Sequence, residues 1–298
     1  MPARGPSAEC VINVSEGRDH SVIAALTGAA GVHLLDLHSD GEHHRSVLTL
    51  GGPLEAVEEA ARSVARAAVS GIDLTTHSGV HPRLGVLDVV PFVPLAAADA
   101  DDAWSEAASA RDRFATWAGT SLGLPCFLYG PERTLPDVRR HAFRSLAPDT
   151  GPGTPHPTAG ACAVGVRLPL VAYNVWISDP TPQPGGDDAP TALSVARSLA
   201  AALRGPSVRT LGLPLSSGAQ VSCNLIDPST APIAELYDDV VAGARSRGCS
   251  VVRAELVGLL PEITLRAVPR PRWSELDLGE DRTIEFRMAE RGWAGAGL

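Results

Sequence analysis

Apolar and polar positions along this chain switch between two periods, and the switches mark the elements. Residues 10–14 form a short apolar run that ends at the turn-forming triplet Ser15-Glu16-Gly17. Asp19 stands where an N-cap is needed for a helix over residues 21–30, and Gly31 closes it. Residues 32–37 read as a strand, the polar stretch 39–43 as a turn, and 45–50 as a second strand with period-two alternation. Pro53 suits the start of a long helix over 54–69, in which Leu54, Val57, Ala61, Val64 and Ala68 share one face. A polar loop over 75–83 leads to a strand over 86–93. The order is β-α-β-β-α-β, the ferredoxin-like split βαβ unit.

A helix over 98–122 and a strand over 126–129 follow. Residues 148–160, PDTGPGTPHPTAG, hold four prolines and three glycines, too many for a helix or a central strand. The second half repeats the order: strand 170–177, loop insert 179–190, helix 191–203, strands 208–213 and 220–226, helix 231–247 begun near Ser229, strand 251–257. The Arg-rich, Pro-broken tail predicts one strand over 283–288. The fold class is therefore α+β, with two ferredoxin-like sub-domains.

Composition narrows the chemistry. All 25 basic residues are arginine, so Schiff-base, Walker A and kinase-type lysines are excluded. A net charge of −9 with no arginine-rich run argues against nucleic acid as a partner. No apolar stretch approaches the ~20 residues that span a bilayer, so no membrane partner is expected. Residues 1–9 lack the apolar core of a secretory leader, and the five cysteines are scattered without a C-x-x-C pair. The expectation is reduced thiols in a cytoplasmic protein.

His77 and His81 lie in a loop flanked by Gly79 and Gly85, just before a buried strand, with Pro82 restraining the backbone. A histidine there suits acid–base work, since its ordinary pKa is near 6.5. A loop histidine that only hydrogen-bonds backbone fits the spacing equally well. His38, Ser39, Asp40, His43, His44 and Arg45 form a second polar cluster, but the histidine spacings are not those of a metal site, and no metal is expected. The Pro/Gly-rich segment fits a stiff loop that a flat ligand approaches closely, or a linker. It matches neither dinucleotide nor triphosphate motifs, and no serine hydrolase elbow occurs.

Several segments taken together resemble the formiminotransferase domain of the glutamate formimidoyltransferase and formimidoyltransferase-cyclodeaminase family. They are VINVSEGRD at 11–19, LLDLHSDGEHHRSVLTLGGP at 34–53, THSGVHPRLGVLDVVPFVP at 76–94 and LPCFLYG at 124–130. PDTGPGTPHPTAGACAVGVR at 148–167, VAYNVWI at 171–177, GAQVSCNLID at 218–227 and AELVGLLP at 254–261 continue in family order. No cyclodeaminase segment is seen.

The resemblance implies two sub-domains, 1–169 and 170–298, with mixed sheets stacked face to face, helices outside and folate in a tunnel between them. It implies transfer of the formimino group of N-formimino-L-glutamate to tetrahydrofolate in histidine degradation, by a cytoplasmic homodimer. His81 falls on the catalytic histidine. The folate-binding stretch falls on Gly151, Pro152, Gly153, Thr154, Pro155, His156, Pro157, Thr158, Ala159 and Gly160. His38, Arg45 and Arg83 are the candidate substrate-binding residues, the arginines as carboxylate clamps. This chain has Val80 where the family often has Glu before the histidine, His38 where it often has Asp, and His44 where it often has Asn. Formimidoyl or formyl transfer between folate and a different amine, such as glycine or a biosynthetic intermediate, therefore stays open, as does folate binding without turnover.

Overall fold

In the computed structural model, which describes residues 7–95, 100–179, 191–228 and 232–293, β1 (Ser7–Val14) sends Ala8, Cys10, Ile12 and Val14 to one side. Asp19 caps α1 (His20–Ala30), accepting from the Ser21 and Val22 amides at 2.8 and 3.2 Å, and Gly31 ends it at φ 58°. β2 (Leu34–Asp40) and β3 (Arg45–Pro53) form a hairpin, and α2 (Leu54–Gly71) buries the apolar stripe read from the sequence. β4 (Leu87–Leu95) completes the split βαβ unit. Residues of α1 and α2 pack on Leu48, Leu50 and the β1 side chains, each buried branched residue contributing roughly 1.5–3 kcal/mol. The alternate residues Val11, Asn13, Arg45, Val47 and Thr49 consequently share the sheet face turned away from those helices.

The unit continues with α3 (Ala100–Ser121), β5 (Cys126–Tyr129), α4 (Leu135–His141) and β6 (Cys162–Val166). The sheet order is β2-β3-β1-β4-β6-β5; β1 is antiparallel to both neighbours, while β6 is parallel to β4 and to β5. The sequence reading lacked α4 and β6. Thr134 and Asp137 form a capping box that starts α4 after a run of turn residues. β6 is a short apolar strand next to the Pro/Gly-rich loop, and it lies between two other strands.

A second compact unit spans Pro169–Phe286; the first runs to Leu168 and includes the segment that starts at Arg287. The second unit contains β7 (Val171–Ile177), α5 (Ala192–Leu203), β8 (Val208–Leu215), β9 (Gly218–Leu225), α6 (Ile233–Arg245), β10 (Val251–Val257) and α7 (Glu262–Arg266). Its order, β10-β7-β9-β8, repeats β4-β1-β3-β2, with every pair antiparallel. Both units are thus ferredoxin-like in topology. Most of the expected 179–190 insert, and Ser229, lie outside the described residues.

The strand expected over 283–288 is instead part of helix α8 (Ile284–Glu290). The alternation of T-I-E-F-R-M also reads as an i, i+4 pair, and Ile284 and Met288 are the buried positions. Thr283 Oγ1 accepts from the Phe286 amide at 3.2 Å, an N-cap contact that a strand would not use.

Candidate active site

The site is built where the turn after β2 and the loop before β4 meet. Gly79 must be glycine here: a Cβ would sit 2.5 Å from the His43 carbonyl oxygen and 2.8 Å from His44 Cβ. His77 Nε2 donates to the His44 carbonyl at 3.1 Å, and its ring stacks on His44 with centroids 3.8 Å apart. Its Nδ1 accepts from Arg83. Burial, then the Arg83 charge, push His77 down to about 4.

His44 Nδ1 lies 2.8 Å from the Ser78 carbonyl and Nε2 lies 3.1 Å from Glu16 Oε1. The same Glu16 oxygen accepts the amides of Gly17, Arg18 and Asp19 at 2.7–2.9 Å. Burial raises this carboxyl, but the three amides and His44 outweigh it and hold it below its ordinary value.

His81 is half-buried beside a buried charge cluster. Its Nδ1 lies 2.7 Å from the Pro82 carbonyl and 3.1 Å from Arg45 Nη1. Arg45 also donates to Asp88 at 2.8 Å and to Asn13 Oδ1 at 3.2 and 2.5 Å. Asp88, fully buried on β4, accepts from Arg139 Nη2 at 2.7 Å and from the Leu84 amide at 2.7 Å. Burial raises Asp88, yet the two guanidiniums dominate and keep it well below the carboxylate range. Burial, then the Arg45 charge, push His81 down to about 2, so its resting state is the neutral imidazole. Nε2 is left as the ring nitrogen without a hydrogen bond among the described residues.

The Pro/Gly-rich loop joins this stem. The Val86 amide donates to Ala159 O at 2.9 Å, Ala161 to Leu84 O at 3.1 Å, and Leu74 to Thr158 O at 2.8 Å. His156 Nδ1 accepts from the Ala159 amide at 3.0 Å and holds the turn. Gly160 has φ 70°, and a Cβ there would lie 2.5 Å from Leu84 O. Gly151, Pro152, Gly153, Thr154 and Pro155 are exposed, and Gly153 helps line a depression of about 350 Å³ with Phe143, Arg144 and Pro148. At Gly153 the φ is ordinary and nothing lies within 4 Å of an added Cβ, so a side chain there would meet only what lies over the loop.

The structure therefore brings His81, Arg45, Arg83 and the 156–160 turn onto one stem. His38 stands on edge strand β2 opposite Val47, on the face that carries Asn13 and Arg45. Arg45 is committed to protein partners, and Arg83 donates to the Gly79 and His81 carbonyls at 2.9 and 2.8 Å besides His77. Both arginines hold the loop. Sequence reasoning missed Asn13, Asp88 and Arg139. Asp88 had a signal, a lone charge within the apolar run VLDVVPFV; Arg139 had none.

A family profile described as the formiminotransferase domain, N-terminal subdomain, matches residues 7–167, which include this whole cluster, and a second, the formiminotransferase domain, matches 197–270. The chain belongs to the formiminotransferase family. It is 34% identical over 279 residues to the glutamate formimidoyltransferase of Streptococcus pyogenes serotype M1, covering 85% of this chain and 88% of that one. The glutamate formimidoyltransferase of Thermoplasma acidophilum is 31% identical over 308 residues, 94% of this chain and 96% of its own. The formimidoyltransferase-cyclodeaminase of Gallus gallus is 34% identical, and the match spans 50% of its length. In this formiminotransferase, among the described residues, no helix is long and apolar enough to cross a membrane. Among the same residues no group of three or more His, Cys, Asp or Glu is placed to hold a metal ion.

Proposed function

We propose that the protein transfers the formimino group of N-formimino-L-glutamate to tetrahydrofolate, with His81 as the acid–base residue. The observation that carries this is a neutral His81 with Nε2 open, inside the segment that matches the family. Nitrogen 5 of the folate attacks the amidine carbon, and the N–H bond it gives up sends its proton to Nε2. The tetrahedral intermediate then collapses. The bond from that carbon to the glutamate nitrogen breaks, and Nε2 returns the proton to the departing amine. Positioned proton transfer of this kind contributes ~10²–10⁴-fold.

The exposed residues 151–155 and the turn 156–160 are the folate-contacting loop in this reading, and His38 faces the donor. Catalysis uses no metal. The protein acts in the cytoplasm as a homodimer, which sedimentation of the purified chain tests. Val80, 39% exposed next to His81, favours one second reading, a donor amine other than glutamate. A panel of formimino and formyl donors offered with tetrahydrofolate separates the two: the first reading requires formiminoglutamate to give the highest kcat/KM.

Two expected results follow from the site. With His81 and His77 both held neutral, neither ring is expected to contribute a limb to kcat/KM between pH 8 and about 5. A limb near 6.5 that is lost on replacing either ring would contradict the electrostatics described. At the loop, Gly153→Val is expected to melt like the wild type and to bind tetrahydrofolate about tenfold more weakly, ~1.4 kcal/mol. Gly160→Val, by contrast, is strained by its φ and by Leu84 O, and is expected to lose stability by about 1–3 kcal/mol. Wild-type folate affinity in a well-folded Gly153→Val protein would return residues 151–155 to a structural role.

A further inference from the structure

His81 Nδ1 faces two groups that ask for opposite protonation. The Pro82 carbonyl, at 2.7 Å, only accepts, so an N–H at Nδ1 suits it. Arg45 Nη1, at 3.1 Å, only donates, so a lone pair at Nδ1 suits it. A base at Nε2 needs its lone pair there, so the neutral ring carries its proton on Nδ1 and donates it to Pro82, and Arg45 Nη1 is left facing that N–H side of the ring. Arg45 has no freedom to turn away. Asn13 holds its Nε and Nη2, and Asp88 holds the same Nη1 that meets the imidazole. Asp88 in turn is fixed by the Leu84 amide and Arg139.

Building on the reading of His81 as the acid–base group, we infer that Arg45 is a positioning residue that keeps His81 neutral between proton transfers and makes its protonated form give up the proton readily. Its guanidinium acts through Nδ1, while the chemistry runs at Nε2. When Nε2 takes the proton from the folate nitrogen, the ring becomes a cation 3.1 Å from a second cation. That repulsion drives the proton onward to the glutamate nitrogen as its bond to the one-carbon unit breaks. The device therefore favours the second half of the reaction, in which a poor leaving group needs a strong acid.

The other groups around the ring fit this assignment. Arg139 adds repulsion from beyond Asp88, while the Asp88 carboxylate and the Pro82 carbonyl work in the opposite direction. Arg83 Nη2 contacts the His81 backbone carbonyl at 2.8 Å, and the His43 ring lies edge-on with centroids 6.1 Å apart. Among the described residues, Arg45 alone places a charged group within hydrogen-bond distance of a nitrogen of the His81 ring.

The test is direct titration of His81 by nitrogen NMR on histidine-labelled whole protein, without substrates. In the wild type the ring is expected to stay neutral from pH 8 to about 4. Arg45→Gln removes the charge and leaves Asp88 paired with Arg139; it is expected to raise the His81 titration by at least about one pH unit. Arg45→Lys, which keeps the charge, is expected to restore most of the wild-type behaviour. The acid limb of kcat/KM should move with the titration, and kcat should fall more than KM changes. A wild-type His81 that titrates near 6.5 overturns the inference without any variant. So does a folded Arg45→Gln protein with an unmoved His81. If the titration shifts as expected but no formimino transfer is found with any donor, Arg45's hold on His81 stands and the reading of the reaction falls.

Discussion

His81→Ala is expected to lower kcat at least about 100-fold while leaving the protein folded and able to bind tetrahydrofolate. The imidazole is half-buried at the loop surface, and its removal leaves Arg45 with Asp88 and Asn13. The same variant has a second, independent signature in stability. In the unfolded chain a histidine titrates near 6.5, whereas His81 in the folded protein is pushed down to about 2. Between those values the unfolded state binds more protons, so stability falls as pH drops through 6.5 toward the folded value. His81→Ala removes that term and should lose less stability than the wild type between pH 7 and about 4. A variant retaining more than about a tenth of wild-type kcat would remove His81 from the chemistry.

Asp88→Asn is expected to be the most destabilising conservative change in the site, by about 3–5 kcal/mol in urea unfolding. The carboxylate is fully buried, and both of its arginine partners are at most a quarter exposed. An amide keeps an acceptor for the Leu84 amide but leaves Arg45 and Arg139 as two guanidiniums without a counter-charge. For the wild type, a carboxyl held well below its ordinary value contributes stability above about pH 4 and loses it only as pH falls toward the folded value. The stability of Asp88→Asn should therefore be less sensitive than that of the wild type at the acid end. An Asp88→Asn protein within about 1 kcal/mol of wild type would show that the cluster is solvated rather than a tightly held ion pair.

The sequence carried the element order because local chemistry set it. Asp19, Gly31, Pro53 and the stripe from Leu54 to Ala68 each act within a few residues of themselves. The doubled β-α-β-β-α-β order then left little choice of sheet order, since a strand linked through a helix pairs with a non-neighbour. Two short elements were hidden. α4 is started by a capping box within seven helical residues, and β6 is five residues without alternation. The tail helix was hidden differently, because Ile284 and Met288 satisfy both periods and only the Thr283 cap decides.

At the site, His81 and the Pro/Gly-rich loop were visible because loop chemistry before a buried strand is a local signal. Their joining was not, because it runs through backbone bonds from Leu84 and Val86 to Ala161 and Ala159. The role first expected of Arg45 changed for the same reason. A free guanidinium in sequence became one whose donors go to Asn13, Asp88 and His81 across 32 to 43 residues. Arg139, 51 residues from Asp88, could be paired with it only by the fold.

The central claim is tested most directly by incubating the purified chain with tetrahydrofolate and N-formimino-L-glutamate and following both products. Released glutamate is measured enzymatically, and the folate by mass spectrometry. The account predicts catalytic turnover in which glutamate and a formimino-substituted folate appear in equal amounts, slowed at least about 100-fold in His81→Ala. Binding of tetrahydrofolate with no modified folate over many protein equivalents of donor would contradict it.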